Sequence, residues 1–350
     1  MSVEISAVRS EDSFNIEAVH TWLSEQIPAL SDLPMVEQFR SGASNLTYLL
    51  RYPNREIVLR RPPSGKKAAS AHDMGREFII QQSLLPHYPL VPKVLALCED
   101  PKIIGSNFYV MERIKGVILR RDLPDDMILT DAGASELGQR VIDGLVQLHQ
   151  VDAGVLSELN KGPGYVSRQV KGWSERYLAA LTDDVPTGSK LISWLTEHQP
   201  SDVATCVIHG DWRLDNLVID TAKSPHLVGV LDWELATVGD PLMDLGSALA
   251  YWIDKDDDPA FAALRRQPSH LSGMPTRQEF VARYLRQTEW KCADFTFYEV
   301  FGLFRLTVIL QQIWFRYRSG ETTNPAFAQF GPAVHILINR AMDLIQRSTK

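Results

Sequence analysis

Val207-Ile208-His209-Gly210-Asp211-Trp212-Arg213-Leu214-Asp215-Asn216-Leu217-Val218-Ile219 is the stretch on which the reading of this chain turns. Leu227-Val228-Gly229-Val230-Leu231-Asp232-Trp233-Glu234 follows it. Each contains a short β-like run, 217–219 and 227–231, and the two runs read as a hairpin. Asp211 and Asn216 sit on the tight loop before the first strand, and Asp232 ends the second. Paired strands lie about 4.8 Å apart, so these three oxygen-bearing side chains can converge at one end of the hairpin. A carboxylate plus a neutral amide oxygen suits Mg2+, which takes hard oxygen ligands and needs few from the protein when phosphates supply the rest. The remaining carboxylate, Asp211, is then free to accept a proton from an attacking hydroxyl. An Asp base, an Asn five residues on and a metal-binding Asp on the following strand form the layout of phosphoryl transfer.

The flanking sequence is of two kinds. Up to about residue 115 it reads as a small antiparallel sheet with helices. The spacing predicts a helix over 14–27 that stops before Pro28, and strands at 46–50 and 57–59 around the turn 52–55. A helix over 74–85 stops at Pro86, and strands follow at 94–98 and 108–111. Beyond Lys115-Gly116 the period turns helical, over 137–149, 173–181, 191–197, 280–285, 295–318 and 332–345. The expectation is an α+β chain of two lobes: 1–115, and a larger, mainly helical 116–350 with one hairpin in it.

Composition narrows the classes. The chain has 350 residues, 45% apolar and 23% charged, which is ordinary for a globular protein and excludes disordered or collagen-like chains. Lys and Arg total 36 against 43 Asp and Glu, a net charge of −7. No nucleic-acid partner is expected from so acidic a chain. That total says nothing about a local basic pocket for one small anion. Three cysteines, Cys98, Cys206 and Cys292, lie far apart, with no C-x-x-C pair, which suits a reducing compartment. No secretory signal is visible at the N-terminus, and 295–315 carries Glu299, Arg305, Gln311 and Gln312, too polar to span a bilayer. A cytoplasmic protein without a membrane partner is expected. Walker A, G-x-S-x-G and H-E-x-x-H patterns are absent.

The H-G-D-x-x-x-x-N stretch at 209–216 and the D-W-E at 232–234 resemble the aminoglycoside phosphotransferase and choline kinase group of small-molecule kinases. The nearer resemblance is to the branch related to the kinase-like domain of acyl-CoA dehydrogenase fusion proteins. It is carried by Ser41-Gly42-Ala43-Ser44-Asn45-Leu46-Thr47-Tyr48, Val58-Leu59-Arg60-Arg61-Pro62-Pro63 and the run 236–246. It implies a protein-kinase-like fold with 1–115 as the nucleotide-binding lobe and 116–350 as the lobe of the catalytic loop and acceptor site. Under it Asp211 is the catalytic base, Arg213 stabilises the transferred phosphate, and Asn216 and Asp232 bind Mg2+. His209 is a structural histidine, and Asp244 anchors the loop from a following helix. Ser41, Gly42, Ser44 and Asn45 cover the nucleotide phosphates. Arg60 stands where most kinases have a strand lysine, with Glu77 as its helix partner. Met111, Arg113 and Ile114 fall at the hinge for adenine.

The resemblance implies ATP as phosphoryl donor, with GTP as the alternative, and a small hydroxyl-bearing acceptor: a hydroxyacyl-CoA, a sugar or an amino sugar. The oligomer is a monomer or a homodimer. Arg61 neighbours Arg60 on the opposite face of a strand, and either arginine can be the phosphate ligand. The acidic run 254–258 is a solvated loop or a lure for a cationic substrate. The rival function is a non-catalytic nucleotide- or acyl-CoA-binding regulator on the same fold.

Overall fold

The structure is a computed structural model and describes residues 5–28, 30–40, 45–63, 73–222 and 224–348. The chain divides into two compact units, Met1–Lys115 with Gly229–Glu234, and Gly116–Val228 with Leu235–Lys350.

In the first unit, β1 (Ile5–Ala7), β2 (Met35–Phe39), β3 (Leu46–Arg51), β4 (Glu56–Arg61), β5 (Val94–Cys98) and β6 (Phe108–Glu112) make one antiparallel sheet. Its order is β1-β2-β3-β4-β6-β5. Two helices accompany it, α1 (Ile16–Gln26) and α2 (Met74–Leu84), capped by the side chains of Asn15 and Asp73. Side chains alternate along a strand, so every second residue shares a face. Tyr48, Leu50, Ile57, Leu59, Phe108 and Val110 pack with Val19 and Leu23 of α1. Leu49, Val58, Tyr109 and Met111 pack with Met74 of α2 on the other side.

This alternation separates the two adjacent arginines. Arg61 falls on the α1 face, 4% exposed, and donates to the Tyr48 hydroxyl and to the Asp12 carbonyl at 2.6 Å. Arg60 falls on the α2 face. Packing has already claimed Arg61.

The expected second lobe runs unbroken from 116 to 350, whereas Gly229–Glu234 packs with the first unit. Val230 N–H donates to the Leu90 carbonyl at 2.7 Å, and Arg76 donates to the Glu234 carbonyl at 2.6 Å. Trp233, fully buried, meets Tyr88 edge-on at 6.1 Å between ring centres.

The second unit carries α3 (Asp131–His149), α4 (Tyr165–Ala179), α5 (Ser189–Glu197), β7 (Cys206–Ile208), β8 (Leu217–Asp220) and β9 (His226–Val230), whose last two residues belong to the first unit. Then come β10 (Thr237–Gly239), α6 (Pro241–Leu249), α7 (Pro259–Ala262), α8 (Arg277–Thr288), α9 (Thr296–Arg318) and α10 (Phe330–Ser348). β8 and β9 form the expected hairpin, and β7 pairs antiparallel with β10. The second pair escaped the sequence reading because each strand is three residues long and almost wholly buried, which leaves no alternation to detect. Phe297, Phe301, Phe304 and Trp314 of α9 are buried in the core. Among the described residues no helix is long and apolar enough to cross a membrane.

α6 and α9 cross with their backbones in contact. A Cβ at Gly302 would lie 2.0 Å from the Gly246 carbonyl oxygen, and one at Gly246 would lie 2.1 Å from that of Tyr298. Gly246 is two residues past Asp244, and Gly302 three before Arg305, so the crossing sets the spacing of two side chains used below. Overpacking a tight core contact typically costs 1–3 kcal/mol. Gly302→Ala is expected to lower stability by about 3 kcal/mol, read as a reduced denaturation midpoint with an unchanged denaturant slope.

Candidate active site

In the first unit the α2 face of the sheet holds a buried charged cluster. One Arg60 nitrogen, Nη2, lies 2.9 Å from Asp232 Oδ1 and 3.3 Å from Glu77 Oε1. Burial works against the Arg60 charge, but Glu77, Tyr109 and Asp232 outweigh it and hold the guanidinium above its ordinary range. Burial pushes the Glu77 carboxyl up, against the pull of Arg60. The Tyr109 hydroxyl donates to Glu77 and accepts from Gln81 Nε2 at 3.0 Å. One arginine thus answers two carboxylates, and the local excess is negative. Asp232 has φ of 66°, the left-handed region that a short polar side chain tolerates better than most. Its side chain stays 28% exposed, so it is the wet end of the cluster.

The other expected nucleotide residues are placed as follows. Asn45 is buried, and its amide donates to Glu234 Oε2 at 3.3 Å. Met111 packs in the α2-face core. Arg113 pairs with Glu56 at 2.9 Å, and Ile114 lies against Gly229. Ser41, Gly42 and Ser44 lie outside the described residues.

In the second unit the loop 209–216 leaves β7 and is held from several sides. Asp244, on the first turn of α6, accepts the His209 N–H and the Gly210 N–H, each at 2.9 Å. His149 of α3 donates from Nε2 to the same carboxylate at 3.1 Å, and its Nδ1 meets the Tyr284 hydroxyl of α8 at 2.5 Å. Arg305 of α9 donates to the Gly210 carbonyl at 2.6 Å. Gly210 has φ of 80°, and a Cβ there would press within 3.0 Å of Leu235. Leu214 N–H donates to Gln267 Oε1 at 2.8 Å.

The loop's own polar groups then meet each other. Asn216 Nδ2 donates to the Asp211 carbonyl and to Asp211 Oδ2, both at 2.9 Å. Arg213 Nε lies 3.2 Å from Asp211 Oδ1 and 3.2 Å from Asp215 Oδ1. Its guanidinium carbon stands 4.6 Å from the centre of the Tyr251 ring. Burial pushes the Asp215 carboxyl up, Arg213 and Arg120 pull it down, and Asp211 pushes it further up.

A model described as a phosphotransferase enzyme family matches residues 36–280. The chain belongs to this family. It is 35% identical over 342 residues to mouse acyl-CoA dehydrogenase family member 10, a match that covers 96% of this chain and 32% of that protein. The chain spans about a third to under half the length of the curated relatives it matches first. A Ralstonia eutropha protein described as a candidate aminoglycoside phosphotransferase superposes with a TM-score of 0.81 at 28% identity, over 96% of this chain and 99% of that one. Choline kinase from Cryptosporidium parvum superposes at 0.64 with 14% identity over 95% and 96%, a likeness of fold. The α+β, protein-kinase-like architecture and the family resemblance expected from the sequence are both found.

Two features leave little trace in the sequence. His149, Tyr284 and Arg305 hold the loop from three helices far away in the chain. A detectable signal is Arg305 within 300–310, where Thr307 is the one other polar side chain. Asp215 shares Arg213 with Asp211. In the acidic run 254–258, Arg277 pairs with Asp254 and Asp257 and Arg340 with Asp257 and Asp258, while Lys255 and Asp256 are exposed.

Burial raises the Asp244 carboxyl, but the hydrogen bond and charge of His149, with His209, outweigh it and hold it below the usual range. A depressed native value gives stability that is present above the unfolded carboxylate value, about 4, and is lost as pH falls through the native value. Breaking a buried charged pair costs about 3–5 kcal/mol. Asp244→Asn is expected to lose that much at pH 7 in equilibrium unfolding, and to flatten the fall in stability below pH about 4.

Proposed function

We propose that this protein moves the γ-phosphoryl group of ATP, as its Mg2+ complex, to a hydroxyl of a small molecule. The observation that carries the reading is the attachment of Asn216 to Asp211. The amide nitrogen is spent on the Asp211 carbonyl and carboxylate, which fixes that carboxylate and leaves the amide oxygen as the group for a ligand. An amide oxygen from Asn216 and the partly exposed carboxylate of Asp232 are a donor set of the hard kind Mg2+ takes. When bound there, Mg2+ would supply positive charge against the nucleotide phosphates.

The chain's own groups do the rest. Asp211 orients the acceptor hydroxyl and takes its proton as oxygen bonds to the γ-phosphorus and the bond to the ADP oxygen breaks. Arg213, pinned by Asp211, Asp215 and Tyr251, offers its guanidinium to the equatorial oxygens. Arg60, turned to the α2 face and held by Glu77, is the ligand for the α- and β-phosphates. Backbone groups at Met111, Arg113 and Ile114 take the purine, and Ser41, Gly42, Ser44 and Asn45 cover the phosphates. Residues 1–115 then supply nucleotide binding, and 116–350 the base and the acceptor site. GTP remains an alternative donor to the assay. Acceptors to try first are hydroxyacyl-CoA thioesters, for which the match to an acyl-CoA dehydrogenase family member argues, then sugars and amino sugars. Three unpaired cysteines fit a reducing, cytoplasmic setting.

The test is an acceptor panel read by mass spectrometry for a gain of one phosphate. General-base contributions run to about 10²–10⁴-fold. Asp211→Asn is expected to lower kcat by that factor while leaving the ATP-induced rise in Tm intact. Full rate in Asp211→Asn sinks the base assignment. A Tm rise with ATP and no transfer to any acceptor favours the regulator instead.

A further inference from the structure

Trp173 of α4 carries two cations on one indole. The guanidinium carbon of Arg305 lies 5.2 Å from its ring centre and that of Arg176 lies 4.7 Å away. The indole N–H is spent on Gln169 Oε1 at 3.1 Å. Arg176 is exposed, whereas Arg305 is only 8% exposed. Among the described residues Arg305 makes one hydrogen bond, to the Gly210 carbonyl, and no carboxylate pairs with either arginine.

Three half-buried arginines and the buried Arg61 are treated differently. Arg60, Arg213 and Arg277 are each matched by at least two carboxylates. Arg61 lacks one but is engaged by the Tyr48 hydroxyl and the Asp12 carbonyl through two of its nitrogens. Among the described residues no Arg305 nitrogen is both buried and unpaired, so the N–H groups that the Gly210 carbonyl leaves over reach solvent and can donate to a ligand. The place is also particular. Gly210, which Arg305 holds, precedes Asp211. The buried phenol of Tyr251 is within electrostatic reach of Arg213, Asp211, Arg305 and Asp215 together. Arg305 therefore faces the same small region as the proposed base.

We propose that Arg305, backed by Trp173 and Arg176, is an oxyanion-recognition site, which narrows the phosphoryl acceptor from thioesters and amino sugars to a molecule with a free carboxylate or a phosphate beside its reacting hydroxyl. The word acceptor rests on the phosphotransferase reading; the anion site stands on the unmatched arginines. Three of the four aspartates in the acidic run of the same unit are already held by Arg277 and Arg340, which weakens that run as a lure for a cationic acceptor.

Calorimetric titration of the full chain with matched probes tests this: 3-hydroxybutyrate against 1,3-butanediol, and glycerol 3-phosphate against glycerol. The wild type is expected to bind at least one charged probe and not its neutral twin, and the preferred pair tells carboxylate from phosphate. Losing a hydrogen bond to a charged group weakens binding about 10- to 100-fold. Arg305→Gln is expected to show that loss, Arg305→Lys to recover part of it, and Arg176→Gln to lose about 3-fold, a rim-charge effect. ADP affinity is expected to stay unchanged in all three. Should Arg305→Gln not fold, the Arg305→Lys and Arg176→Gln shifts decide. The site is overturned if charged and neutral probes bind alike, if neither charged probe binds, or if charged-probe affinity survives Arg305→Gln. A charged probe that binds but is never phosphorylated sinks the transfer reading and spares the site. A neutral alcohol phosphorylated at full rate by Arg305→Gln does the reverse.

Discussion

One buried carboxylate, Asp244, organises the second unit. It accepts two successive backbone N–H groups of the 209–216 loop and a histidine N–H from α3. A carboxylate that is fully desolvated persists as an anion only when its oxygens are filled in this way. The requirement runs outward: α6 must begin where Asp240 caps it, α3 must present His149, and α8 must present Tyr284 to fix that imidazole. The loop geometry is the residue of these constraints. Gly210 has its N–H held by Asp244 and its carbonyl by Arg305, with a backbone angle that glycine adopts without strain.

The first unit solves a different electrostatic problem. Strand alternation puts Arg60 and Arg61 in opposite environments although they are neighbours in the chain. Arg61 is consumed by neutral oxygens under α1. Arg60 stands between Glu77 and Asp232, so one guanidinium answers two carboxylates. Gly229–Glu234 is held to this unit by Leu90, Arg76 and Tyr88, which is why Asp232 belongs to the Arg60 cluster.

Much of this was legible in advance. The H-G-D-x-x-x-x-N spacing, the small sheet and the helical period of the second part are local patterns, and the fold follows from them. The Asp211–Asn216 hydrogen bond joins residues five apart and is prefigured by that spacing. Asp215 was not recognised, because its carboxylate acts through Arg213 and leaves no mark of its own in the sequence. The paired strands β7 and β10 were too short and too buried to show a period.

By itself the sequence determined which chemistry-bearing groups exist and in what order: a carboxylate, an arginine and an amide on one loop, a second carboxylate on the next strand, and a strand arginine. These depend on separations of a few residues, where backbone geometry leaves little freedom. Tertiary structure alone decided which of two adjacent arginines faces α2, which helices hold the loop, that two arginines engage three aspartates of the acidic run, and that Arg305 is buried without a counter-charge. Those outcomes depend on contacts between residues tens to more than a hundred positions apart, and burial, which sets the cost of every charge, is not a property of any short stretch.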